Sequence, residues 1–117
     1  MNRIVEYLQD LSTEIHLLES FTADGEQAFY ADDRTQYAVM MAYARIGEIV
    51  KRLPDSLLAT RPEVEWRDVK GFRDVLLHRY DEIQPKRVWE AVQKLPVLKA
   101  AVEALRVAQP PDDEGDV

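Results

Sequence analysis

Apolar residues recur along this chain at three- and four-residue intervals, the spacing that keeps them on one side of an α-helix. Ile4, Leu8, Leu11, Ile15 and Leu18 form the first stripe, with Val5 and Leu17 at its edges. They predict a helix over residues 2–20, with Asn2 able to cap its start. Tyr37, Met40, Met41, Ala44, Ile46, Ile49, Val50 and Leu53 form a broader stripe. A face this wide predicts a buried helix over residues 34–53 that packs against more than one neighbour. Val88, Trp89, Val92, Leu95, Leu98, Val102 and Leu105 form the third stripe, in a helix opened by Pro85 as an early-turn proline. No stretch alternates apolar and polar residues as a half-buried strand does.

Between the stripes the chain is punctuated. Gly25 loosens the segment from Thr22 to Asp33, where Phe29 can anchor a short helical turn. Asp33 reads as an N-cap, with Gln36 three residues on as in a capping box. Gly47 sits inside the second helix at a cost of about 1 kcal/mol against alanine, which a close helix crossing would offset. Glu48 beside it reads as a solvent-paired structural residue. Pro54 ends that helix, residues 55–61 add a short turn, and Pro62 begins a connector that Trp66 plugs. Val69 to Tyr80 is helical in pattern, interrupted or bent near Gly71. Pro96 should kink the last helix, because it lacks an amide hydrogen and clashes with the preceding turn. The expected architecture is an all-α bundle of three long helices with short helical segments between them. One domain spans residues 1–108, and residues 109–117, QPPDDEGDV, form a disordered acidic tail. Several wide apolar faces on so small a domain predict a homodimer.

Composition narrows the options. The chain has 117 residues, enough for one domain with a thin core. It has no cysteine, which excludes disulfides and thiolate metal sites and fits a reducing compartment. No apolar run is long enough for a membrane span and no signal pattern opens the chain, so a cytoplasmic protein is expected. The net charge of −7 argues against broad nucleic-acid binding. It is unevenly spread, however. Asp112, Asp113, Glu114 and Asp116 crowd the tail, whereas residues 67–87 hold six Lys/Arg against four Asp/Glu. A small anion-binding pocket suits that pattern better than a long phosphate-tracking groove.

The chemistry concentrates in WRDVKGFRDVLLHRYDEIQP, residues 66–85. This stretch holds His78, one of only two histidines; the other, His16, lies beside the first stripe and reads as structural or simply exposed. Five helical steps separate Arg73 from His78, about 140° of azimuth and roughly 7.5 Å of rise, so they do not sit side by side. Arg73 and Tyr80 are seven apart and would share a helical face. Asp74, four before His78, could hydrogen-bond the imidazole and orient it. Arginine offers a rigid donor fork for phosphate, and histidine moves protons near neutral pH. Together they suffice for metal-free RNA cleavage, and two copies across a dimer would supply both an acid and a base. The plainer alternative pairs Arg73 with Asp74, Asp81 or Glu82, lets His78 satisfy a helix end and makes Tyr80 a packing residue. Spacings for a metal site or a glycine-rich phosphate cradle are absent, so no cofactor is expected.

Three segments resemble the HepT-like (DUF86) branch of the HEPN superfamily. ARIGEIVKRLP, residues 44–54, resembles the central helix with its I-G-E signature. EVEWRDVKGFRDVLLHRYDEI, residues 63–83, resembles the segment W-x-x-[IV]-x-G-x-R-[ND]-x-L-x-H-x-Y. VWEAVQKLPVLKAAVEAL, residues 88–105, resembles the final helix. The resemblance implies a helical homodimer acting as a metal-independent endoribonuclease toxin of a type VII toxin–antitoxin pair. Arg73 and His78 match its catalytic arginine and histidine, and Asp74 takes a polar position often filled by asparagine. Tyr80 matches the tyrosine that accepts AMP from a partner minimal nucleotidyltransferase, the antitoxin. The added bulk and charge would exclude RNA. The same resemblance allows an inactive nucleotide-binding or interaction module that pairs with such a nucleotidyltransferase.

Overall fold

The structure, a computed structural model, describes residues 3–110. The suggested Asn2 cap and residues 111–117 of the expected tail lie outside the described residues. Seven α-helices follow one another: α1 Arg3–Phe21, α2 Glu26–Ala31, α3 Asp33–Lys51, α4 Asp55–Leu58, α5 Trp66–His78, α6 Pro85–Gln93 and α7 Leu95–Ala108. A 3-10 turn, Tyr80–Glu82, joins α5 to α6. No strand occurs among the described residues. The bundle is elongated, 51 × 25 × 22 Å. No described helix is long and apolar enough to cross a membrane.

Helix α3 is the central element, packed chiefly on α5 and α1 and also touching α2 and α6. Its Val39, Ile46 and Val50 are fully enclosed, as are Leu8, Leu11 and Leu18 of α1. Polar contacts pin the outer helices. Glu14, only 5% exposed, accepts from Arg45 of α3 at 2.8 Å. Arg106 of α7 donates to Gln9 at 2.8 Å and to Ser12 at 3.3 Å on α1. Phe29 seats the short α2 in the core, its ring 5.3 Å from that of Trp89.

Several boundaries differ from expectation. Asp32, not Asp33, caps α3: its carboxylate accepts from the Arg34 amide at 3.1 Å and the Thr35 hydroxyl at 2.7 Å. Gln36 completes no capping box, because its side-chain amide donates to the carbonyls of Phe29 and Tyr30 at the end of α2. Helix α5 runs unbroken through Gly71, which faces outward: a methyl group in place of its α-hydrogen would have no heavy atom within 4 Å. The expected third long helix is two helices. Pro96 takes the second position of α7, where an amide hydrogen is not needed, and the break falls at Lys94. Tyr37 and Met41, assigned to the buried stripe of α3, are 63% and 61% exposed.

Candidate functional site

Trp66 fixes the start of α5: it is buried, and its indole N–H donates to the Arg61 carbonyl at 2.9 Å. From there α5 crosses α3 at Gly47. A methyl group at Gly47 would collide with Cβ of Arg73 and come within 3.1 Å of the Val69 carbonyl oxygen. The close crossing inferred from this glycine is present, and what it admits is the stem of Arg73.

The Arg73 side chain is 24% exposed, and its guanidinium is held at both ends. Its Nη2 lies 2.8 Å from Oε1 of Glu48, on α3, and its Nη1 lies 2.9 Å from Oδ1 of Asp74. Nε is buried without a hydrogen-bond partner. Lys51 Nζ reaches the same Asp74 oxygen at 2.9 Å, and Arg52 Nη2 lies 3.3 Å from Oε2 of Glu48. Asp74 is held below the usual carboxylate range, first by its bond from Lys51 and next by that from Arg73. The expected Asp74–His78 bond is therefore not made: Asp74 faces two cations instead. Nor does Arg73 pair with Asp81 or Glu82; Glu48 takes that role.

His78 is the last residue of α5 and is exposed. Among the described residues its ring has no hydrogen bond or ion pair. Tyr80 is 59% exposed and does not share a helical face with Arg73, because α5 ends two residues earlier and Tyr80 opens the 3-10 turn. Within one chain Arg73, Asp74, Glu48 and Lys51 form one cluster, while His78 at the end of α5 and Tyr80 just past it have no partner among the described residues. His16, likewise exposed, lies 3.4 Å from Glu19. Among the described residues no three His, Cys, Asp or Glu side chains converge as metal ligands would.

Sequence reasoning missed Glu48 and Lys51 as neighbours of Arg73. The available signal was Gly47: a glycine that admits a crossing helix brings its own neighbours to that helix as well. Two concavities lie elsewhere. One of about 700 Å³ separates α5 from α6 and α7, lined in part by Tyr43, Phe72, Arg87 and Leu98. The Tyr43 hydroxyl there is buried without a partner, and burial raises its pKa. The other, about 500 Å³, is lined by Val75, Arg79, Glu82 and Arg87 among others. Neither is lined by Arg73, His78 or Tyr80.

The site thus belongs to an all-helical domain that presents an arginine and a histidine five residues apart on one helix. A profile of the family described as ribonuclease HepT-like matches residues 11–105, and the chain belongs to that family, a branch of the HEPN superfamily. A protein named as a probable ribonuclease HepT, from Thermococcus cleftensis, is 36% identical over 103 residues, covering 86% of this chain and 94% of its own. A candidate RNase of Methanocaldococcus jannaschii is 34% identical over 87 residues, covering 74% and 72%. A candidate RNase of Caldanaerobacter subterraneus is 29% identical over 101 residues, covering 85% and 90%. No solved structure gives a significant match.

Proposed function

We propose that this chain is a metal-independent endoribonuclease that works as a homodimer. Arg73 binds the scissile phosphate and His78 transfers protons. The observation that carries the reading is the contrast between the two side chains. Arg73 is anchored at a helix crossing with its fork oriented by Glu48 and Asp74. His78 stands at the helix end, exposed and uncommitted. In the reaction the 2′-hydroxyl attacks the adjacent phosphorus, the bond to O5′ breaks, and a 2′,3′-cyclic phosphate and a 5′-hydroxyl result. One imidazole takes the 2′-hydroxyl proton, a second protonates O5′, and arginine steadies the equatorial oxygens. A single chain supplies one such histidine, so the second comes from another copy.

A second copy also accounts for exposed apolar surface. Tyr37 and Met41 lie one turn apart on α3, and Met41 is seven residues before Glu48, on the same face. Leu77, likewise exposed, follows Arg73 by one turn on α5. The apolar rows run into the residues that hold Arg73, so a partner covering them would border the arginine.

Within a toxin–antitoxin pair, Tyr80 is the AMP acceptor for a minimal nucleotidyltransferase antitoxin. A second reading is favoured by one observation: both ends of the Arg73 fork already hold carboxylates. On that reading the chain is a catalytically silent module that binds the nucleotidyltransferase. RNA cleavage by the purified, unmodified protein in chelator separates the two. Arg73→Ala and His78→Ala should each lose about a hundredfold or more in rate while remaining dimeric. Absence of cleavage by the unmodified protein, or variants that cut equally well, sinks the nuclease reading.

A further inference from the structure

Each carboxylate that holds Arg73 is itself covered by a cation from the end of α3. Asp74 Oδ1 is shared between Arg73 Nη1 and Lys51 Nζ, both at 2.9 Å. Glu48 divides its oxygens, giving Oε1 to Arg73 at 2.8 Å and Oε2 to Arg52 at 3.3 Å. Signs alternate along the row Lys51, Asp74, Arg73, Glu48, Arg52. Two carboxylates around one guanidinium leave a net negative charge, which repels a phosphate from the group meant to bind it. With Lys51 and Arg52 included, the row carries one net positive charge. Protonation of Asp74 does not relieve the conflict near neutral pH, since its neighbours hold it ionised.

We infer that Lys51 is a positioning residue for phosphate binding by Arg73: it holds Asp74 Oδ1 and offsets that charge, so that the N–H of Arg73 Nη1 not given to Asp74 can take a phosphate oxygen. The inference rests on the reading of Arg73 as the phosphate-binding side chain. It explains how an aspartate can stand directly beside such an arginine. Lys51 acts through Asp74, and its contribution should vanish when Asp74 has no charge.

The test uses the full chain, a labelled mixed-sequence RNA oligonucleotide and chelator throughout, with thermal melts to confirm folding. Lys51→Met is expected to lower kcat/KM about tenfold or more, with Lys51→Arg close to wild type. The double variant Lys51→Met/Asp74→Asn should recover most of the loss, which a merely structural lysine would not allow. Lys99→Met removes a comparable surface lysine, 2.8 Å from Glu19, and should cut like wild type. Wild-type rates in Lys51→Met, or a double variant no better than the single, overturn the inference while the nuclease reading stands. No cleavage by the wild-type chain overturns the reading of Arg73 itself, and the role of Lys51 with it.

Discussion

Gly47 and Arg73 occupy one crossing point: the space where a side chain would begin on the glycine is filled by Cβ and Cγ of the arginine. The nearer of the two, Cβ, is bonded directly to the backbone of α5, so it cannot swing aside as the tip of a flexible side chain could. Gly47→Ala should therefore push the helices apart. Alanine gains about 1 kcal/mol of helix propensity, but overpacking at a tight contact costs about 1–3 kcal/mol. The expected result is a net loss of stability in chemical denaturation and weaker RNA cleavage, because Glu48 loses its hold on Arg73. Gly71 provides the contrast, since a methyl there meets nothing within 4 Å. Gly71→Ala should stabilise by about 0.5–1 kcal/mol. Equal stabilisation by both substitutions would refute the steric role of Gly47.

That glycine also marks how far the sequence could be read. A glycine inside an apolar helical stripe announces a close neighbour, because only a close approach offsets its cost. It does not announce which residue approaches, so Glu48 read as a solvent-paired residue rather than as the partner of Arg73. Helical periodicity located α1, α3 and the core-facing residues, because burial follows the 3.6-residue repeat. It could not separate a face buried by the same chain from a face left open, and Tyr37 and Met41 read as core for that reason. The end of α5 was hidden for a local reason. Arg79 leaves the helical conformation, with φ −140° and ψ 33°, and carries Tyr80 off the face shared with Arg73.

The acid side of the stability curve should depend on Asp32 and Asp74. Asp32 is held below the usual carboxylate range first by the Thr35 hydroxyl and next by the Arg34 amide; Asp74 is held there by Lys51 and Arg73. A carboxyl whose pKa is lower in the folded chain binds protons more readily when unfolded. It favours the folded state above its unfolded pKa of about 3.9, and that contribution fades as pH falls through the lowered value. Melting temperature should accordingly drop on acidification below about pH 4. Asp32→Asn and Asp74→Asn should each flatten the drop. Curves parallel to wild type in both variants would show that these contacts do not form in solution.

The exposed row on α3 predicts the oligomeric state. Burying a methionine or tyrosine side chain contributes about 1.5–3 kcal/mol, and a two-fold interface counts each residue twice. Met41→Glu should therefore raise the dimer dissociation constant by about a hundredfold or more. Sedimentation should find the wild type dimeric and the variant monomeric, with helical content unchanged because Met41 lies outside the core of one chain. RNA cleavage should fall together with the dimer, since each copy supplies a single His78. A variant that dimerises like wild type would remove Met41 from the interface. A wild-type monomer would remove the shared site.

Tyr80 is one of two strongly exposed tyrosines in the described chain, the other being Tyr37. The Tyr43 hydroxyl is buried, and that of Tyr30 is bonded to Glu26 at 3.1 Å. AMP transfer requires the phenolic oxygen to attack the α-phosphate of ATP, forming one P–O bond as pyrophosphate leaves and the phenolic proton departs. An exposed hydroxyl with no partner among the described residues meets that requirement at little cost in stability. Tyr80→Phe removes the oxygen and breaks no hydrogen bond among the described residues, so stability should change by less than about 0.5 kcal/mol. Incubated with a cognate nucleotidyltransferase and ATP, the wild-type chain should gain the mass of AMP on its Tyr80 peptide and stop cutting RNA. The phenylalanine variant should gain no such mass and keep cutting. AMP attached to the variant at wild-type levels would assign the acceptor role to another residue, with Tyr37 the first to examine.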